Sequence, residues 1–153
     1  GDNVKTIYMA HGIVYRDDDI YQYAFASDNL HQDPALNSKI LLLHNKKDRF
    51  AYVTNDDQEG QIEYKNIDLD KYMFLNYIVE DSGYIQVEVL DNNGKVIDGY
   101  SRDESVLLSG DYTGAKVSWV NNNMLPDVRN ATLKFYLNKV KLFSFSLTGD
   151  IDD

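Results

Sequence analysis

From residue 84 to residue 147 the chain reads as β-strand with hardly a break, and that periodicity more than anything else limits what it can fold into. Tyr84-Ile85-Gln86-Val87-Glu88-Val89-Leu90 has a period of two, with Ile85, Val87 and Val89 on one face. Asp91-Asn92-Asn93-Gly94 is a turn, and Lys95-Val96-Ile97-Asp98-Gly99-Tyr100 is the return strand of a hairpin. Residues 131–137 and 140–147 are two further alternating runs around Asn138-Lys139. Side chains that alternate in this way bury one face of a sheet against another layer.

The remainder of the chain fits the same class. Twelve tyrosines and six phenylalanines against two prolines favour strands over helices. Residues 5–15 and 20–27 read as two strands joined at Arg16-Asp17-Asp18-Asp19, a polar turn. Residues 28–38 are polar, contain Pro34 and read as a loop. Strands are expected at 40–43, 49–54 and 61–64, with polar loops at 44–48 and 55–60 between them. Residues 71–79 are apolar on both faces, as in a central strand covered on both sides. Further strands are expected at 105–108 and 116–120, and a loop with one helical turn at 121–130. No segment has a long 3.6 period capped at both ends, and there is no internal repeat. The pattern predicts an all-β, two-sheet antiparallel β-sandwich of the jelly-roll kind. An N-terminal β-hairpin and loop over 1–36 packs on a sandwich over 37–153, because Ile7, Met9, Ile13, Ile20 and Phe25 would otherwise leave apolar surface in water.

Length and charge exclude several functions. At 153 residues the chain can bury a substantial core, and no apolar run approaches the roughly 20 residues of a membrane helix. The net charge of −10 repels a phosphate backbone, so no nucleic-acid partner is expected. With no cysteine there are no disulfides, thiolate metal sites or cysteine nucleophiles.

Reactive constellations are lacking. The three histidines, His11, His31 and His44, fit no metal-ligand spacing, and neither a metal nor a cofactor is expected. Leu108-Ser109-Gly110 lacks the context of a nucleophile elbow. Asp91-Asn92-Asn93-Gly94 lacks the ligand spacing and closing Glu of a calcium loop, so a hairpin turn is its better account. Carboxylate pairs such as Glu80-Asp81 and Asp103-Glu104, and the single Asp111, lie beside turn signals, where exposure is the default. Sugar-binding sandwiches stack pyranose faces on exposed Tyr or Trp, which makes Tyr100, Tyr112 and Trp119 the carbohydrate-binding candidates. Tyr100 and Tyr112 flank the loop at 101–111; Trp119 shares the face of Val117, where core packing competes with stacking.

The order of these elements carries a resemblance. Gly83-Tyr84-Ile85-Gln86-Val87-Glu88-Val89-Leu90-Asp91, then Gly94-Lys95-Val96-Ile97-Asp98-Gly99-Tyr100-Ser101, is followed by Val117-Ser118-Trp119, Leu133-Lys134-Phe135-Tyr136-Leu137 and Lys141-Leu142-Phe143-Ser144-Phe145. Over roughly residues 48–147 this series resembles the C-terminal β-sandwich behind a five-bladed propeller in bacterial glycoside-hydrolase-like proteins. Lys134 stands where that family usually has Arg, Val140 where it has a small residue, and Phe143 where it has Tyr. Tyr8-Met9-Ala10-His11-Gly12-Ile13-Val14-Tyr15 and Asp19-Ile20-Tyr21-Gln22-Tyr23-Ala24 are similar to the last propeller blade of such enzymes, with His11 in place of Arg and Tyr21 in place of Trp.

The family's catalytic carboxylates lie in upstream blades, so none carries over to this sequence. The resemblance implies a non-catalytic accessory module that supports an upstream propeller domain. It also implies export to the periplasm or exterior of a bacterial cell, with the leader not among these residues. Two rival functions remain at this level. One is a stand-alone glycan-binding protein using exposed tyrosines, and the other a small hydrolase using paired carboxylates.

Overall fold

The computed structural model describes residues 4–32, 37–55 and 57–150. More than half of them lie in strands and none in an α-helix; the strands form two antiparallel sheets, and the chain divides into compact units at 1–47 and 48–153. The division expected after residue 36 falls instead after Lys47, because a full strand follows the loop and pairs backward.

In the first unit β3 (Asp19–Ser27) is central. Along one edge β4 (Ser38–Lys46) pairs with its whole length. Two short strands share the other edge: β1 (Thr6–Met9) beside residues 24–27 and β2 (Val14–Arg16) beside residues 19–21. The strand expected over 5–15 is thus broken between Met9 and Val14, where Gly12 takes a φ of 96°. The predicted turn at 16–19 is a two-residue hairpin, with Arg16 opposite Asp19 and Asp17 in the left-handed region. Most of the 28–38 loop is described; residues 33–36 lie outside the described set.

The second unit is a five-stranded sheet built on two very long strands, β7 (Tyr72–Leu90, 19 residues) and β9 (Ala131–Thr148, 18 residues). β5 (Val53–Thr54) and β6 (Gly60–Ile67) pair with β9, and β8 (Gly110–Lys116) pairs with β7. Straight strands of this length would be sheared of their core, and both are bent. Val79 faces Val140 and Tyr84 faces Asn138, so four residues of β7 stand against one of β9. Ser82 and Lys139 supply the left-handed backbone at this corner. Gly83 sits where a Cβ would lie 2.4 Å from the Asn138 carbonyl oxygen, which explains a residue without a side chain.

Beyond the corner the sheet folds back on itself. Phe135 and Phe145 are ten residues apart on one strand, about 33 Å if it were straight, yet their ring centroids are 5.6 Å apart. Tyr64, paired with Leu133, also meets Phe145, at 4.9 Å. The two halves thereby enclose one core. From β7 come Met73, Leu75, Tyr77, Val79, Ile85, Val87 and Val89; from β9, Leu133, Phe135, Leu137, Val140 and Leu142. The extra residue at Lys139 moves the inward set of β9 from odd to even numbers. A second register shift skips Phe143 and returns Phe145 and Leu147 to the core side, leaving Phe143 on the outside.

The hairpin turn at 91–94 forms as predicted, with the Asp91 carboxylate accepting the amides of Asn93 (2.8 Å) and Lys95 (2.9 Å). Its return segment contributes only single bridges rather than a continuous strand. The third strand of the corner half is therefore replaced by separate main-chain bridges, with side chains filling the gap between them. Along the free edge of β7, Ile85 exchanges main-chain bonds with Leu108, and Val89 bonds to Tyr100 and Ile97. Between them the Val87 amide donates to Ser105 Oγ (2.9 Å) and its carbonyl accepts from Trp119 Nε1 (3.0 Å). The helical turn expected in 121–130 does not form among those residues; a 3-10 turn occurs at Arg102–Glu104 instead. There Glu104 caps Ser101, and capping holds the Glu104 carboxyl below its ordinary value.

Candidate functional site

The three carbohydrate-binding candidates occupy different environments. Trp119 is 3% exposed, its N–H is spent on Val87, and its ring meets Tyr100 edge-on at 5.0 Å. Tyr100 is half-buried, and its hydroxyl donates to the Met124 carbonyl at 3.1 Å. Both rings therefore serve the packing of the loops that seal the β7 edge. Tyr112, on β8, is 55% exposed and tilted against Tyr77 at 5.9 Å. The structure brings Tyr100 and Trp119 together and leaves Tyr112 apart from them, on β8 rather than on a loop.

A polar cluster clasps the 3-10 turn to the outer face of the β6–β9–β7 half. The Arg102 guanidinium is bidentate to Glu59 (3.1 and 2.5 Å), donates from Nε to Gln86 Oε1 (3.1 Å), and lies 4.2 Å over the Tyr136 ring. The Tyr84 hydroxyl donates to the same carboxylate at 2.5 Å, and Tyr136 donates to Glu88 at 3.0 Å. The Tyr84 bond, and after it the Arg102 charge, hold the Glu59 carboxyl below its ordinary value, while Glu59 raises the Tyr84 phenol. With the guanidinium committed on every side, this cluster is a clamp on the loop rather than a site open to a ligand.

On the outer face of the other half, Arg49 plays a similar part. It donates to Asn76 Oδ1 (2.8 Å) and Asp111 Oδ1 (2.6 Å) and lies 4.9 Å from the Phe143 ring centre. This fixes the chain leading into β5 against the sheet, and with it Tyr52, whose ring meets Phe143 edge-on at 5.7 Å.

Beside that segment the corner of the sheet opens a cleft of about 700 Å³. Tyr52, Thr54 and Lys141 line it along the β5–β9 pair, Glu80 and Asp81 from the bend of β7, and Asp57 and Lys139 from the facing loop and corner. Tyr52 is 53% exposed. Lys139 reaches toward Asp57 (3.7 Å) and donates to the Ser82 hydroxyl (3.4 Å), so it links the loop at 57 to the bend of β7. Asn55 also lines it, but its amide donates to the Gln58 and Leu137 carbonyls and its oxygen accepts the Val140 amide. Its part is to tie the loop to the corner.

Sequence reasoning marked Glu80-Asp81 only as an exposed pair and passed over Tyr52 and Lys141. What joins them is the bend at 80–83 and 139, for which Gly83 and the shift in alternation at Asn138-Lys139 were the only signals. Among the described residues no group of His, Asp and Glu is arranged to hold a metal ion. Among the described residues no helix is long and apolar enough to cross a membrane. No protein-family model, curated protein or solved structure matches this chain.

Proposed function

We propose that this chain is a non-catalytic accessory β-module of a glycoside-hydrolase-like protein, with its N-terminal sheet docking on a propeller domain of that protein. The observation that carries the reading is one face of the first sheet. Tyr8, Phe25 and Ile40 lie in one line across β1, β3 and β4, and Tyr23 and Leu42 form the next line on the same face. All five are exposed, Ile40 to 77%. A row of large apolar side chains across three strands is the signature of a covered surface rather than of scattered exposure. The sequence resemblance supplies the occupant, since Tyr8 and Tyr23 belong to the stretches 8–15 and 19–24 that are similar to a propeller blade. It would also place the protein in the bacterial periplasm or outside the cell. Against independent hydrolysis, Asp57, Glu80 and Asp81 in the cleft are all exposed, with none set in an apolar pocket that would distinguish an acid from a base.

The test is calorimetric titration of the chain with a five-bladed propeller domain of a glycoside hydrolase prepared without its own sandwich. Binding is expected, weakened at least about tenfold by Ile40→Lys or Phe25→Lys, as for apolar anchors at an interface centre. Absence of binding, binding indifferent to both variants, or glycoside hydrolysis by the chain alone would overturn the reading.

A further inference from the structure

We infer that the corner cleft of residues 48–153 binds a neutral, hydroxyl-rich ligand, a glycan segment, with Tyr52 as its stacking platform. This goes beyond the docking role and does not depend on it.

The size and openness of the cleft come first. At about 700 Å³ it falls in the range of small-molecule sites. Its walls are unlike those of an apolar-ligand pocket, where hydrophobic side chains predominate around a few polar groups. Here carboxylates, ammonium groups and a threonine hydroxyl surround a single exposed ring. A ligand that fits must replace many hydrogen bonds to water, which an apolar molecule cannot do.

The charges then select within polar ligands. Asp57, Glu80 and Asp81 oppose an anion, and Lys139 and Lys141 oppose a cation, so neither sign of ligand meets a uniform field. A hydroxyl donates to a carboxylate and accepts from an ammonium group, and both kinds of partner line the cleft. The Glu80 and Asp81 carboxylates make no hydrogen bond or ion pair among the described residues, so their acceptor capacity faces the cleft's solvent.

The ring completes the arrangement. Tyr52 is held edge-on by Phe143, with Lys141 Nζ 5.7 Å from its centre, and its hydroxyl makes no hydrogen bond among the described residues. A half-exposed ring set in place by a neighbouring ring loses little side-chain freedom when a pyranose C–H face covers it. Thr54 lies opposite Lys141 in the β5–β9 pair and places a hydroxyl beside the lysine on the same wall.

The experiment is a two-dimensional NMR titration of the whole chain. One arm uses neutral gluco-, xylo-, manno- and fructo-oligosaccharides. The others use oligogalacturonate, chitosan oligomers and calcium chloride. At least one neutral oligosaccharide is expected to shift the amides of Tyr52, Thr54 and Lys141 with a Kd of about 0.1–10 mM. Tyr52→Ala is expected to weaken that binding at least about tenfold, and Glu80→Gln with Asp81→Asn by several-fold. Tyr112→Ala, on a separate strand, leaves it unchanged. Fluorescence of buried Trp119 verifies that each variant is folded. Failure of every neutral oligosaccharide to move these amides overturns the inference, as do tighter binding of a charged probe and binding that survives Tyr52→Ala. None of these outcomes bears on docking to a propeller, which is read on the other unit.

Discussion

Replacing Ser105 by alanine removes a single oxygen, and the structure gives that oxygen one function. Val87 is fully buried and pairs with Phe135 of β9 on one side, while on the free edge of β7 no strand pairs with it. Its amide donates to Ser105 Oγ at 2.9 Å, and Ser105 itself is 6% exposed. Leaving a buried N–H without a partner costs about 1–3 kcal/mol, more than the net worth of an ordinary hydrogen bond. The cavity left by one oxygen is too small to add much. For a unit the size of residues 48–153, about 4 °C per kcal/mol converts this to a fall in Tm of about 4–12 °C. Thermal unfolding followed by Trp119 fluorescence measures it. Hydrogen exchange adds the local readout, because the Val87 amide should lose protection before its neighbours Ile85 and Val89, whose bonds are to main chain. Ser109→Ala, at an exposed site, serves as the control and stays within about 0.5 kcal/mol. A Tm change below about 1 °C, with Val87 still protected, would show that the edge is satisfied some other way and would refute the side-chain account.

Two other perturbations probe the corner and the core. Gly83→Ala sets a methyl 2.4 Å from the Asn138 carbonyl and 2.9 Å from a Val79 methyl. It should destabilise by at least about 2 kcal/mol, whereas Gly114→Ala, which meets nothing within 4 Å, should not; equal urea midpoints for the two variants would contradict the packed corner. Burial, and less strongly the Tyr112 phenol, pushes the Tyr77 phenol up to about 12 from an ordinary 10.0. Because the folded value lies above the unfolded one, Tyr77 stabilises fully below pH 10 and loses that contribution as pH rises toward 12. Urea midpoints measured from about pH 9 to about pH 11 should therefore fall more steeply for the native chain than for Tyr77→Phe, and parallel slopes would count against the burial.

Much of the second unit was legible because period-two patterning is a local property. Ile85, Val87 and Val89 share the core face as their spacing required, and Asp91-Asn92-Asn93-Gly94 is the turn its residues specify. Misreadings occurred where pairing outweighed local pattern. Residues 110–116, with two glycines and little apolar character, read as the end of a loop and a strand start, yet they form β8 because the β7 edge accepts them. Residues 38–46 look like a strand of the following domain and instead close the first sheet, since β3 offers nine partners in register. Of the cleft, only its exposed carboxylates could be seen in advance.

The amino-acid sequence alone determined the class of the fold, the inward face shared by Ile85, Val87 and Val89, and the absence of thiol chemistry, all of which follow from side-chain type and spacing of two. Only the tertiary structure decided the rest. Alternation continues through Val140, Leu142, Ser144 and Ser146 on paper, but a bulge at Phe143 turns Phe145 and Leu147 inward and leaves Phe143 outside to hold Tyr52 and Arg49. A bulge is a relation between two strands, set by which arrangement buries more apolar surface. No single stretch of sequence encodes it, and the cleft it helps to shape has no linear signature either.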